Sequence, residues 1–356
     1  MEFPDCSYIL LNRPLALLLI LITGCCTLAS LQAQQVDWIE VQNAQVDASF
    51  RGIAVRDANE AWVGGSQGTV IRTQDAGKTW TPVTLPNADD LDFRDIALPQ
   101  PNLVVLLAAG EGKKSRIYRS DDDGRTWTLT LANQDPQGFF NAMTFADANH
   151  GWLIGDPIDG KLDLYRTTDA GKTWQRQIGP TMLPGEYGFA ASGTNIVAVG
   201  RQLRIATGGS AARVLRSSDG GQSWEASETP ISHGNESSGI FSIAFGDPQQ
   251  GVAVGGDYKN PDVDHGNIAR TTDGGVTWSL ALPTGQIPHK ACVRYLGGKI
   301  WMTVGRTGVA VSYDDARTWQ TVTKQGFFTF DFDLHAQVGW LAGSDGHVAR
   351  FTLPQQ

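Results

Sequence analysis

The sequence predicts an all-β chain folded as a seven-bladed β-propeller of four-stranded blades. Three observations predict it. An eight-residue pattern, Ser/Thr-x-Asp-x-Gly-x-Thr/Ser-Trp, occurs six times if one substitution is allowed. Its acids, Asp75, Asp122, Asp169, Asp219, Asp273 and Asp314, recur at steps that match one blade per repeat, roughly 40–50 residues. Short β-branched runs alternate with glycine-rich turns, and long amphipathic helical patterns are absent.

Each position of the pattern has a physical reason. An Asp carboxylate can accept backbone N–H groups two or three residues on, closing an Asx-type turn. Gly supplies a positive φ without a Cβ penalty. The two hydroxyl residues can tie the turn to its flanks. The Trp opens the next strand and brings a large apolar surface to bury. Five copies follow an Arg (Arg72, Arg119, Arg166, Arg216, Arg270), and the sixth carries Ala316 in place of Gly. The six acids are therefore expected to be structural.

From the N-terminus, Leu15 to Ile22 is an unbroken apolar run. A bilayer span needs about 20 residues, so the run fits a signal-peptide core instead. Ile22-Thr23-Gly24-Cys25 follows and resembles a bacterial lipobox, in which the Cys becomes the lipidated first residue. Cleavage after Ala33, or an uncleaved anchor, are the competing readings. On each of them the body leaves the cytoplasm, either lipid-anchored in the cell envelope or secreted to the periplasm. The expected organisation is a signal peptide over 1–24, a linker over 25–37 and a single propeller over 38–353. Cys292 is the one cysteine well inside the body, so no internal disulfide is expected beyond an implausible Cys26–Cys292 pair. No metal-ligand spacing and no cofactor motif is present. The formal net charge of −9 gives nucleic-acid binding no electrostatic support.

The blade grammar is clearest at its first occurrence. Arg51 to Val55 reads as an inner strand, Asp57 to Glu60 as a turn, Ala61 to Gly65 as a second strand and Thr69 to Arg72 as a third. Trp80 to Val83 is the outermost strand, where an edge proline is tolerated. Later inner strands are expected at Asp95 to Leu98, Ala142 to Phe145, Phe189 to Ala191, Ser242 to Phe245 and Cys292 to Tyr295. A seventh unit from Phe328 has three strands and no fourth. Trp38 to Val41 looks like an outer strand with no blade before it, so it should complete the last blade and close the ring.

The run Trp62-Val63-Gly64-Gly65, then Val70-Ile71-Arg72-Thr73, then the repeated turn, resembles the photosystem II stability/assembly factor-like propellers. The turn itself is similar to the Asp box, or bacterial neuraminidase repeat, of the sialidase-like superfamily. The resemblance implies an extracytoplasmic propeller whose photosynthetic relatives are assembly chaperones that bind membrane-protein subunits. It carries the expectation of a protein partner and of a monomer.

Candidate binding residues come from the loops that enter inner strands and join second to third strands, since in propellers these surround the central channel and the two faces. Repeat-equivalent positions at the inner strands read Arg51, Arg94, Asn141, Gly188, Phe241 and Lys290. Three are cationic, which predicts a basic mouth on an acidic protein, suited to an anionic group or an acidic partner segment. Asp156 and Asp257 follow a second-strand glycine, and Arg201 and Arg306 are assigned that place in two other blades. With Glu186 and Tyr258 they make the first-choice ligand site, set against an interblade salt-bridge network. Calcium at Asp257, Asp262 and Asp264 is a lesser option, because the spacing is not that of an established loop.

A hydrolase of sialidase type needs an arginine triad, a Tyr–Glu nucleophile and an Asp acid/base. Those residue types are present, but the Phe/Tyr-Arg-x-Pro start of sialidases is not matched, since Phe93-Arg94-Asp95-Ile96 lacks the Pro. No catalytic residue is assigned. The function expected is a binding or assembly factor, with a glycan-directed hydrolase or lectin as the alternative.

Overall fold

The computed structural model describes residues 38–353 apart from position 284. The signal peptide, the lipobox with Cys25 and the linker lie outside the described residues. Seven sheets form the ring, antiparallel apart from the two-residue strand Leu282–Pro283, which pairs parallel with Thr318–Thr323, and each inner strand packs against the inner strands of both neighbours. The first blade is Phe50–Val55, Ala61–Gly65, Val70–Thr73 and Thr81–Pro82, in that order from axis to rim. The six further inner strands are Asp92–Gln100, Phe140–Phe145, Ile196–Val199, Ser238–Phe245, Cys292–Gly297 and Thr329–Asp333.

The ring closes as the sequence predicts. Ile39–Asn43 pairs antiparallel with His347–Thr352, in register from Ile39 opposite Phe351 to Asn43 opposite His347. Trp38 packs edge-on against Phe351, with centroids 5.8 Å apart. One inner strand is not where the sequence places it. Residues 189–191 are not a strand, and the inner strand of the fourth blade is Ile196–Val199. It turns through Gly200 and Arg201, with Gly200 at φ +57°, into Gln202–Ala206. A two-residue hairpin loop with a positive φ is a stronger strand boundary than the Phe-Ala-Ala likeness.

All six copies of the turn share one lock. In the first, the Thr73 hydroxyl donates to Asp75 Oδ1 (3.0 Å) and accepts the Gly77 N–H (2.8 Å). Asp75 accepts the N–H of Thr79 (2.9 Å) and its hydroxyl (2.7 Å). The carboxylate thus reaches four residues on, further than a simple Asx turn. The same bonds recur around Asp122, Asp169, Asp219, Asp273 and Asp314. They hold the carboxylates of Asp122 and Asp273 down at about 2; at Asp122 the Thr126 hydroxyl contributes most, and at Asp273 the bonds from Thr277 outweigh the opposing effect of burial.

The turn also joins blades. A Cβ on Gly77, at φ +85°, would sit 2.1 Å from Cη2 of Trp340 in the last blade. In the sixth copy Ala316 adopts φ +59°, and it packs in the same cluster as Val252, a much smaller residue at the place Trp340 takes in its own blade. The glycine is therefore demanded where a Trp faces it and dispensable where a Val does. Gly77→Ala should destabilise the fold by about 2–3 kcal/mol through overpacking and positive φ, whereas Ala316→Gly should change it by less than about 1 kcal/mol. Denaturant unfolding of the two variants measures both.

Candidate functional site

The mouth of the channel holds a pocket of about 460 Å³, within the range of ligand sites. Two loops and one hairpin build it. The hairpin Ser238–Phe245 with Gly251–Asp257 is longer than its counterparts in most blades and rises over the mouth, carrying Phe241 and leading into Tyr258. Two short strands, Glu186–Tyr187 and Gly208–Gly209, add to the edge of that hairpin and bring Tyr187 and Phe189 over the mouth. A Cβ on Gly239 would meet Gly208 Cα at 2.2 Å, so this close backbone crossing requires glycine.

Four of the sequence-predicted residues meet here: Arg51, Arg94, Arg306 and Tyr258. Arg51 lies over the Phe328 ring at 4.5 Å and makes no salt bridge among the described residues. Burial, then the neighbouring Arg94 and Arg306, weaken its hold on its proton. Arg94 pairs with Asp92 at 2.8 Å, not with the adjacent Asp95, and donates to the Ala190 carbonyl at 2.9 Å. Arg306 donates to the Tyr258 carbonyl. The guanidiniums are thus positioned; Asp92 offsets part of their charge, and the other lining carboxylate, Glu236, pairs with Lys259.

Asp156 stands at the flank, where its charge acts on Tyr187. Its partner is the buried Asn141 amide, which donates at 3.0 Å. Burial pushes the Asp156 carboxyl up to about 6, and the Asn141 bond offsets only part of that.

The other predicted residues do not join the site. Lys290 is fully buried behind the wall, with its ammonium on the Thr307 hydroxyl at 3.0 Å, and burial lowers it to about 8. Arg201 belongs to the turn between the first two strands of its blade, at the opposite end of the ring, and donates to the Asp219 carbonyl. The one-strand misplacement of residues 189–191 put it on the wrong face. Glu186 is buried and committed to structure: it accepts from Leu183 N–H (2.9 Å), the Thr207 hydroxyl (2.6 Å) and Arg213 Nε (2.9 Å). Asp257 closes its own loop through the Lys259 N–H (2.9 Å) and the Asn260 amide (2.9 Å). Burial acts to raise it, but such bonds, that from Ser237 first, hold it at about 2. The calcium group is not assembled either: no cluster of three or more His, Cys, Asp or Glu among the described residues is placed to hold a metal.

Sequence reasoning reached Phe241 and Tyr258 but missed Tyr187, Phe189 and His289, and with them the aromatic wall. Phe189 and Phe241 stack at 3.9 Å with ring planes 6° apart. Tyr187 lies edge-on to Phe189 at 5.5 Å, and Tyr258 edge-on to Phe241 at 6.1 Å. His289 packs against Phe241 at 4.5 Å, nearly perpendicular. The available signal was an excess of aromatics in the two segments that break the repeat grammar.

Comparison with known proteins places the fold. A family model described as Sortilin, neurotensin receptor 3, Sortilin-Vps10, matches residues 68–177. No curated protein matches the chain. The structure of YCF48 bound to D1 peptide aligns with TM-score 0.66 and 18% identity, over 89% of this chain and 98% of that one. YCF48 from Cyanidioschyzon merolae aligns at 0.64 and 17%, over 88% and 99%. The WD40 β-propeller domain of Doa1 aligns at 0.59 and 12%, over 88% and 98%. At these identities the likeness is one of fold.

Asp156 gives a pH-dependent test. Its carboxyl titrates higher folded than unfolded, so the folded protein holds the extra proton between about pH 4 and 6. Its contribution is therefore favourable below that window and is lost as pH rises through it. Asp156→Asn should leave stability unchanged at pH 4 and raise it by about 1–2 kcal/mol at pH 8, after allowance for partial exposure. Thermal unfolding of both proteins across that range checks the sign.

Proposed function

We propose that this propeller is an extracytoplasmic binding or assembly factor that captures an acidic segment of a protein partner at its channel mouth. The observation that carries the reading is the convergence of Arg51, Arg94 and Arg306 on one pocket of an acidic protein. Guanidiniums match carboxylates bidentately, and a cationic cleft steers anionic segments toward it. YCF48, which shares the fold, has been solved with a D1 peptide bound. Together with the resemblance to photosystem II stability/assembly factor-like propellers, this supports a polypeptide as the ligand. The signal-peptide and lipobox patterns support a partner in or at the bacterial cell envelope, with the propeller tethered through lipidated Cys25.

The hydrolase alternative finds less support in the same pocket. Glu186 is tied to Arg213, and the Glu236 carboxylate pairs with Lys259. The Tyr187 hydroxyl donates to the Glu236 backbone carbonyl, so this pair does not form the Tyr–Glu carboxylate couple that the chemistry needs.

Capture of envelope proteins on the purified protein tests the proposal. A partner should bind the native protein, and Arg51→Glu with Arg306→Glu should weaken capture by roughly tenfold or more. Arg201→Glu, at the opposite end of the ring, should not. Raising the salt should weaken native capture, since exposed charges are screened beyond roughly 10 Å at 0.1 M. Capture indifferent to both the mouth reversal and salt would remove the mouth as the site.

A further inference from the structure

Arg94 and Arg306 reach the backbone beside a second, aromatic part of the mouth, through the Ala190 and Tyr258 carbonyls. Phe189 and Phe241 are nearly buried, at 9% and 4% exposure, yet both line the cavity. Tyr187 and Tyr258 border them, and Tyr258 is 38% exposed. An apolar wall of this kind facing a cation cluster gains nothing from a lone anion. It would be covered by an apolar group that arrives with the anion.

His289 supplies the second, independent observation. It is 4% exposed, lines the cavity, and neither ring nitrogen has a hydrogen-bond partner among the described residues. Burial, reinforced by Lys290 and Arg306, lowers it to about 3, so the ring is neutral at every physiological pH. A neutral imidazole carries one N–H donor and one bare acceptor nitrogen. Buried polar atoms normally find partners; both nitrogens are closed to solvent here, so a ligand reaches them only when the ring turns toward the cavity that it lines. A peptide unit offers the complementary carbonyl and N–H. The groups facing His289 are Phe241 from the neighbouring hairpin, Lys290 beside it, and Arg306 and Asp257, whose charges act on it.

We infer that the mouth is a two-part peptide site, in which the arginines take an acidic side chain, the Phe189–Phe241 wall takes an adjacent apolar side chain, and His289 bonds the peptide backbone between them. This rests on the acidic-segment reading above and adds a sequence requirement to it. Burying one apolar side chain should improve affinity by roughly tenfold or more over a polar one.

The test uses acetylated, amidated hexapeptides Gly-Ser-Glu-X-Ser-Gly with X as Phe, Leu or Ser, titrated against the purified protein by calorimetry. The Phe and Leu peptides should bind at least about tenfold tighter than the Ser peptide. Tyr258→Ser changes an exposed side chain of the aromatic wall and should shrink that difference. His289→Phe keeps the ring stack and removes both nitrogens, so it should weaken all three peptides alike. In ¹⁵N NMR, a ring nitrogen of His289 should shift on saturation with the Phe peptide. Equal binding of all three peptides overturns this inference and leaves the acidic-segment reading standing. An unmoved His289 signal with a bound Phe peptide overturns the role of the imidazole. Failure of every peptide to bind, with capture of envelope proteins insensitive to Arg51→Glu, overturns both readings together.

Discussion

The whole architecture depends on closing the ring. A blade in the middle of the ring is covered on both faces by its neighbours, but a ring assembled from consecutive four-stranded units ends with a blade that lacks its outer strand. Here Ile39–Asn43 supplies it, and the first and last parts of the described chain are locked into one sheet. That pairing fixes how the inner strands face each other at the axis. They are then cross-linked around the channel: Val55 N–H donates to Asp331 (2.9 Å), Met143 N–H to Asp95 (2.7 Å) and Val293 N–H to the Ser242 hydroxyl (3.0 Å). Each bond spans two blades and satisfies a backbone donor that a twisted, splayed ring would otherwise strand in the interior. The repeated turns do the corresponding work further out, where Gly77 and Gly124 rest against Trp340 and Trp62 of the preceding blades.

The site exists because two blades abandon this regularity. In the fourth blade the inner strand is short, and residues 188–195 cross the mouth outside any strand. In the fifth the inner hairpin is extended and picks up two small strands from elsewhere in the chain. The additions bring four aromatic rings to a place where regular blades present only strand ends, and His289, on the way into the sixth blade, packs against them. Their cost is visible in the glycines at 208 and 239, in the buried Asn195 amide without a partner among the described residues, and in the orphaned His289 ring. Of these groups His289 lines the cavity, and a fold that needed only to be stable would not retain it there.

What could be read from the sequence follows the same division. Seven blades, the closing strand and the six structural acids were legible because the repeat dictates them, position by position. Arg51, Arg94 and Arg306 could be placed because they sit at repeat-equivalent positions next to well-marked strands, and Tyr258 because it follows Asp257, which does the same. Phe189 was misread as strand, and Arg201 was carried to the wrong end of the ring with it, because the fourth blade does not keep the register that the others teach. Lys290, Glu186 and Asp257 hold the right positions along the chain, but their side chains turn inward to Thr307, Arg213 and the 257–260 loop. Side-chain direction in irregular segments is set by packing, which one sequence does not encode locally.

The distribution of charge explains how an acidic protein keeps a cationic mouth. The repeated turns sit at the end of the ring opposite the mouth, and each of their carboxylates is held ionised by backbone and hydroxyl donors, with most of its hydrogen-bonding capacity used. At the mouth end the acids behave differently. Asp92 is the salt-bridge partner of Arg94, Asp257 is spent on its loop, and Asp156 is pushed toward its neutral form by burial. Burial first, and then the charges of Arg94 and Arg306 with Asp92 opposing them, leave the Arg51 proton held less firmly than that of an exposed arginine. The fold has placed its cationic cluster at the mouth end and the committed negative charge of the repeated turns at the opposite end. Such a separation orients an approaching anionic segment toward the mouth before any contact forms. The aromatic wall then decides which of those segments stays.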